Sequence, residues 1–95
     1  MRTKIDGKYW DLVYVKLPRS VDGECDRPDQ KGKQIKISRS VLRNDQRHLE
    51  ALLHEVLHAV AWPLDEEYVA AFARDAARLV IKRGFRSHGK EENND

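Results

Sequence analysis

The chain has a single cysteine, Cys25, among its 95 residues. An intramolecular disulfide is therefore excluded, and with it the cysteine-dense architecture of small secreted domains, so a reducing compartment is expected. Long apolar runs are missing as well. None approaches the roughly 18 residues that a membrane helix requires, and Met1-Arg2-Thr3-Lys4 leads into no signal-type apolar region. A cytoplasmic protein with no membrane partner is the expectation. Charge of one sign is not in excess either: 18 basic and 16 acidic side chains leave a net +2, too little to argue for nucleic acid. Local basic rows exist, at Arg39, Arg43 and Arg47 and at Arg74, Arg78, Lys82 and Arg83. At helical spacing these are solvated faces before they are binding stripes. No internal repeat is visible.

What is present is 40% hydrophobic and 36% charged, which suits one small domain with a thin core. Residues 1–86 carry all the patterned sequence. Residues 87–95 are polar and charged without an apolar position, and a disordered tail is expected there. At this size only about 60–65% of the unfolded surface becomes buried, so a bound metal would contribute to stability as well as chemistry.

The N-terminal part reads as β structure. Asp6-Gly7 is a two-residue turn signal between Arg2–Ile5 and a run over residues 8–17 rich in aromatic and β-branched side chains. Trp10, Leu12 and Tyr14 share one face of that run, Val13, Val15 and Leu17 the other, and both faces are expected to be at least partly covered. Pro18 ends it, and residues 20–32 read as a loop. Lys33-Gln34-Ile35-Lys36-Ile37-Ser38 alternates with period two, which predicts a short strand with isoleucines inward and lysines outward, as on an exposed edge. An extended peptide could add to such an edge, although lysines also blunt edges that bind nothing.

Two helices follow. The first starts between Ser40 and Asp45, either of which can cap it, and runs to about Ala61. Leu49, Leu52, Leu53, Val56, Leu57 and Val60 form its apolar stripe, with Arg47, Glu50, His54 and His58 on a neighbouring face. Pro63 breaks the helix and Asp65 caps the next, from Glu66 to about Arg83, with Leu64 and Val69 placed to staple its entry. Its expected packing stripe is Val69, Phe72, Ala73, Ala76, Leu79 and Val80, with Gly84 as C-cap. The fold class is thus α+β: a small antiparallel sheet, a hairpin plus an edge strand, packed on two main helices.

The chemistry concentrates in His54-Glu55-Val56-Leu57-His58. Histidines four apart on a helix stand one turn above the other, so both imidazoles can reach one Zn²⁺, while Glu55 beside them can take a proton from a water on the metal. Zinc needs a third protein ligand and an open fourth position. Candidates are Asp65, Glu66, Glu67, Asp75, His48, His88 and Cys25. Helical phase turns Glu66 toward the packed side, with Glu67 the alternative on the solvent side, and Asp65 is spent as a cap. His48 lies about 240° around the helix from His54 and reads as a surface histidine. His88 falls in the tail. Asp75 returns to the phase of Glu66 and serves either behind a histidine or in an ion pair with Arg74 or Arg78. Cys25 is a buried thiol before it is a latch over the open position. Tyr14, Tyr68, Arg86 and His88 are available as oxyanion donors, and none is singled out by phase.

His54-Glu55-Val56-Leu57-His58-Ala59, Trp62, Leu64-Asp65-Glu66, Ala73-Arg74-Asp75-Ala76-Ala77-Arg78 and Lys82-Arg83-Gly84-Phe85-Arg86 together resemble the small metallopeptidase-like proteins of phages and prophages, a minimal gluzincin type. Gly23-Glu24-Cys25-Asp26-Arg27-Pro28 and Ile35-Lys36-Ile37 are similar to that family's loop and edge strand. The resemblance implies a minimal zincin-like fold, His54, His58 and Glu66 as zinc ligands, Glu55 as general base, a peptide or protein substrate, and a phage or bacterial-host setting. Where the family often ends in Leu-Gly-Tyr, this chain has Arg83-Gly84-Phe85 and lacks the tyrosine hydroxyl. The competing expectation is a zinc-stabilised, non-catalytic protein-binding module. Oligomeric state is not legible.

Overall fold

The computed structural model describes residues 1–86, so the expectation of a disordered tail at 87–95 lies outside the described residues. Strands β1 (Arg2–Ile5) and β2 (Lys8–Val15) form the hairpin read from the sequence. Asp6 and Gly7 take φ of 51° and 77°, the left-handed pair that a tight hairpin turn needs, because its twist matches that of the flanking strands. Strands β3 (Gly23–Cys25) and β4 (Gln34–Ser38) complete a four-stranded sheet in the order β1-β2-β4-β3.

Two expectations for the sheet are corrected. It is mixed rather than antiparallel, because β2 and β4 run parallel, with Leu12 opposite Ile35 and Tyr14 opposite Ile37. Nor is β4 an edge: β3, which falls within the stretch read as loop, pairs antiparallel along its far side and takes that place. The alternation of β4 is as expected, with Ile35 and Ile37 buried. Its lysine signal has a different cause. Lys36 lies on the sheet face turned away from the helices, so the charge marks an uncovered face and not an uncovered edge. On that same face Arg2 and Lys4 lie over the ring of Tyr9.

The β3–β4 connection is pinned by Asp26, whose carboxylate accepts from Gln34 N at 2.8 Å while its own N–H donates to Gln34 O at 3.1 Å. After β4 a 3₁₀ turn (Arg39–Arg43) leads into α1 (Asp45–Val60). The cap of α1 is Asn44, between the two candidates; its side-chain oxygen accepts from Arg47 N at 2.9 Å. Helix α2 (Glu66–Lys82) starts at Asp65, whose carboxylate accepts from Glu67 N and Tyr68 N.

The layers stack as sheet, α1 and α2, with α1 in the middle. Trp10, Ile35 and Ile37 of the sheet, Val41 of the 3₁₀ turn, and Ala51 and Ala59 of α1 form the core, flanked by Leu12, Tyr14, Leu52 and Val56. On the other side α1 meets α2, where Val69, Ala73 and Ala77 are fully buried. Lying between two layers changes the burial read from periodicity. The most buried line of α1 is His48, Ala51, Glu55 and Ala59, the small and polar residues where the sheet comes closest, while the leucines fill the flanks at intermediate exposure. Along α2 the alanine seam is narrow enough to leave Phe72 and Leu79 largely exposed. Among the described residues no helix is long and apolar enough to cross a membrane.

Candidate metal centre

His54 and His58 project from α1 with ring centroids 4.9 Å apart. Glu66, the first residue of α2, reaches back to both. Its Oε2 lies 2.9 Å from His54 Nε2 and its Oε1 2.9 Å from His58 Nε2. One ligand atom from each of the three residues falls within 4.8 Å of the others. The short turn over residues 61–65 makes this possible: Ala61 N–H still donates to Leu57 O, Leu64 N–H closes back on Ala61 O, and Asp65 then fixes the start of α2. Carboxylates in a first helical turn are also favoured by the helix dipole.

Two imidazole nitrogens and a carboxylate are the donor set of zinc sites that keep one position open. Donors bound to zinc at about 2.0–2.2 Å stand roughly 3.3 Å apart, and the three ligand atoms here lie within 4.8 Å of one another, so they could close around such an ion by drawing together. The residues present fit the metal.

Glu55 points the other way, toward β3, and is buried. Its carboxyl is pushed up to about 7, first by burial and then by the negative charges of Glu66 and Glu24. Gly23, Glu24 and Cys25 of the edge strand, together with Trp62, close the rest of a hollow of about 510 Å³ around His54, Glu55, His58 and Glu66. A second hollow of about 330 Å³ opens beside it, sharing Gly23, His54, Glu55 and Glu66 and bounded by Asp22, Glu50 and Ala70. Among the described residues no lysine or arginine lines either.

The other candidates separate cleanly. Glu67, Asp75 and His48 are not in the converging group. Asp75 is in an ion pair with Arg74 at 3.3 Å and Arg78 at 3.2 Å, which decides that alternative. His48 is off the site, as its phase requires, but it is no surface histidine: it is buried, with Nε2 2.6 Å from the Tyr14 hydroxyl. Burial lowers its pKa, opposed by the charge of Asp45. The reason is again the middle layer, which leaves α1 no fully solvated face at that position. Cys25 donates to Asp26 O at 3.3 Å, and burial, with Glu55 and Asp26, pushes its thiol up to about 12. It lines the hollow but is not in the converging group. His88 lies outside the described residues.

Of the proposed oxyanion donors, Tyr14 is engaged with His48, Arg86 donates to Ile81 O and Phe85 O, and Tyr68 is exposed on α2. None lines the cleft. Trp62 does, with its ring 6.1 Å from that of His58, and sequence reasoning missed it as a site residue. The signal was there: Trp62 follows His58 by the same four residues that separate His58 from His54.

No protein-family model, curated protein or solved structure matches the chain.

Proposed function

We propose that the protein is a zinc-dependent peptidase-like hydrolase, with His54, His58 and Glu66 as metal ligands and Glu55 as general base. The single observation that carries this reading is geometric: three ligand atoms converge from two helices in a cleft whose opposite wall is a sheet edge and whose floor is a buried carboxylate. The resemblance to small phage and prophage metallopeptidase-like proteins points the same way.

Zinc held there would act as a Lewis acid on a peptide carbonyl and lower the pKa of a coordinated water to about 7. Glu55, which lines the same hollow as the histidines, would accept a proton from that water and return it to the leaving amine. An extended peptide fits along the free edge of β3, where main-chain groups beyond β4 are unpaired within the sheet. Trp62 lines the cleft, and its indole N–H is the donor we assign to meet a developing oxyanion. One free thiol accords with a cytoplasmic setting.

A second reading has an observation of its own. The histidine–glutamate cluster ties α1 to α2, so a metal there would serve as a staple even without turnover, in a non-catalytic protein-binding module. Zinc stoichiometry and hydrolysis of a quenched fluorogenic peptide mixture decide between them. The peptidase reading expects one zinc per chain in the native protein, none after His54→Ala, and a Glu55→Gln variant that keeps zinc and loses turnover. A native protein that takes up no zinc on reconstitution refutes both readings; one that takes up zinc and cleaves nothing leaves the staple.

A further inference from the structure

Three of the four described glycines with an unusual environment are explained by their backbone: Gly7, Gly32 and Gly84 all have positive φ and open space where a side chain would be. Gly23 is the reverse. It lies in a strand with no positive φ, so the backbone does not require glycine, yet there is no room for anything else. A β-carbon built on it would stand 2.9 Å from Glu55 Cγ, 3.0 Å from Oε2 and 3.2 Å from Cδ. Its three nearest atoms all belong to one side chain.

We infer that Gly23 is the positioning residue for Glu55, an inference that rests on the peptidase reading for its catalytic consequence but not for its packing. Gly23 pairs with Ile37, and both face α1. The missing side chain leaves a notch in the edge strand at the height of Glu55, and the carboxylate occupies it. No hydrogen bond or ion pair to another described residue ties the Glu55 carboxylate. Its place is therefore set by the α1 backbone behind it and the glycine notch in front. Because the encroached atoms include Cγ, near the root of the side chain, a methyl group at position 23 cannot be avoided by swinging the carboxylate tip alone. Either Glu55 changes rotamer and leaves its place beside His54 and His58, or β3 moves away from α1.

Two measurements on the full chain test this. The first is a thermal cycle of the native protein, Gly23→Ala, Glu55→Ala and the double variant, all without metal. Gly23→Ala is expected to lower Tm by about 5 °C or more when Glu55 is present. With alanine at 55 it should leave Tm unchanged or slightly raised, since alanine restricts the unfolded chain more than glycine. Equal losses in both backgrounds overturn the inference. The second measurement loads native and Gly23→Ala protein with zinc and follows zinc affinity, by competition with a chromogenic chelator, alongside kcat and KM on the peptide mixture. Zinc affinity and KM should hold while kcat falls roughly a hundredfold, the scale of an ångström-sized misplacement. Native kcat in Gly23→Ala overturns the positioning role even if the thermal cycle shows coupling. If the native protein has no turnover, the peptidase reading falls, and the thermal cycle alone still decides whether Gly23 holds Glu55.

Discussion

Replacing Glu55 by glutamine in the metal-free protein is expected to raise stability, in a way that depends on pH. The carboxyl is buried against β3, and its pKa rises from 4.5 to about 7, with desolvation the first cause and the charges of Glu66 and Glu24 the second and third. Raised acid pKa values have a definite sign. Between about 4.5 and 7 the folded protein holds a proton that the unfolded chain has shed, so stability falls as pH rises through this window, and above it the full cost is in place. A gap of that size corresponds to about 3 kcal/mol, against a total stability of about 5–10 kcal/mol for a domain this small. Glutamine has the same shape and cannot ionise.

The assay is urea unfolding of native and Glu55→Gln protein in the presence of a chelator, at pH 5, 6, 7 and 8. The gap between the two curves should be smallest at pH 5 and widen by about 2–3 kcal/mol by pH 8, where the variant is the more stable. Zinc should narrow the separation, because a cation beside Glu55 offsets the charge of Glu66. Parallel stability profiles from pH 5 to 8 would refute the claim that Glu55 is held in a desolvated, like-charged site. With zinc present the same variant should lose turnover if Glu55 is the general base proposed above.

Zinc at a thousandfold excess over its Kd should stabilise the native protein by about 4 kcal/mol, measured as a rise in melting temperature that His54→Ala, His58→Ala and Glu66→Ala each abolish. Asp65→Ala removes the acceptor for two N–H groups at the start of α2 and should cost about 1 kcal/mol; because Glu66 is the next residue, zinc affinity in a chelator competition should fall with it. Tyr14→Phe removes the 2.6 Å bond to buried His48 and should cost about 1–3 kcal/mol in denaturant unfolding without altering zinc affinity.

The parts of the fold that were legible in the sequence are those set by local chemistry. Asp6-Gly7 specified the hairpin, Pro63 and Asp65 the break and restart between helices, and the phase of Glu66 relative to Glu67 its direction toward α1. What was not legible depends on which layer lies over which. Period two in β4 gives its inward isoleucines but does not distinguish an edge strand from an inner strand with one open face, since either presents lysines to water. Likewise, the strongest apolar period of α1 lies on its leucines, yet the line nearest the sheet is His48, Ala51, Glu55 and Ala59. A helix between two layers places small residues at the closest approach, and a hydrophobic period alone points to the bulkiest side chains instead. His48 and Gly23 were unreadable for the same reason, because the significance of each lies in a partner far along the chain, Tyr14 in one case and Glu55 in the other.

The middle position of α1 also accounts for the division of labour within the five-residue motif. Successive helical residues turn by about 100°, so His54 and His58 share a face while Glu55 faces well to one side. In this fold that offset spans the seam between layers: the histidines look across to α2, where Glu66 meets them, and Glu55 looks across to β3, where Gly23 receives it. The candidate ligands therefore meet across the α1–α2 contact and Glu55 is held at the α1–β3 contact, two interfaces built from different residues. Val69, Ala73 and Ala77 line the first; Gly23 of β3, backed by its β4 neighbour Ile37, lines the second. Substitutions at the α2 seam should thus appear in zinc affinity first, and substitutions along β3 in turnover first. Packing on both sides of α1 is what lets one five-residue motif face two different neighbours.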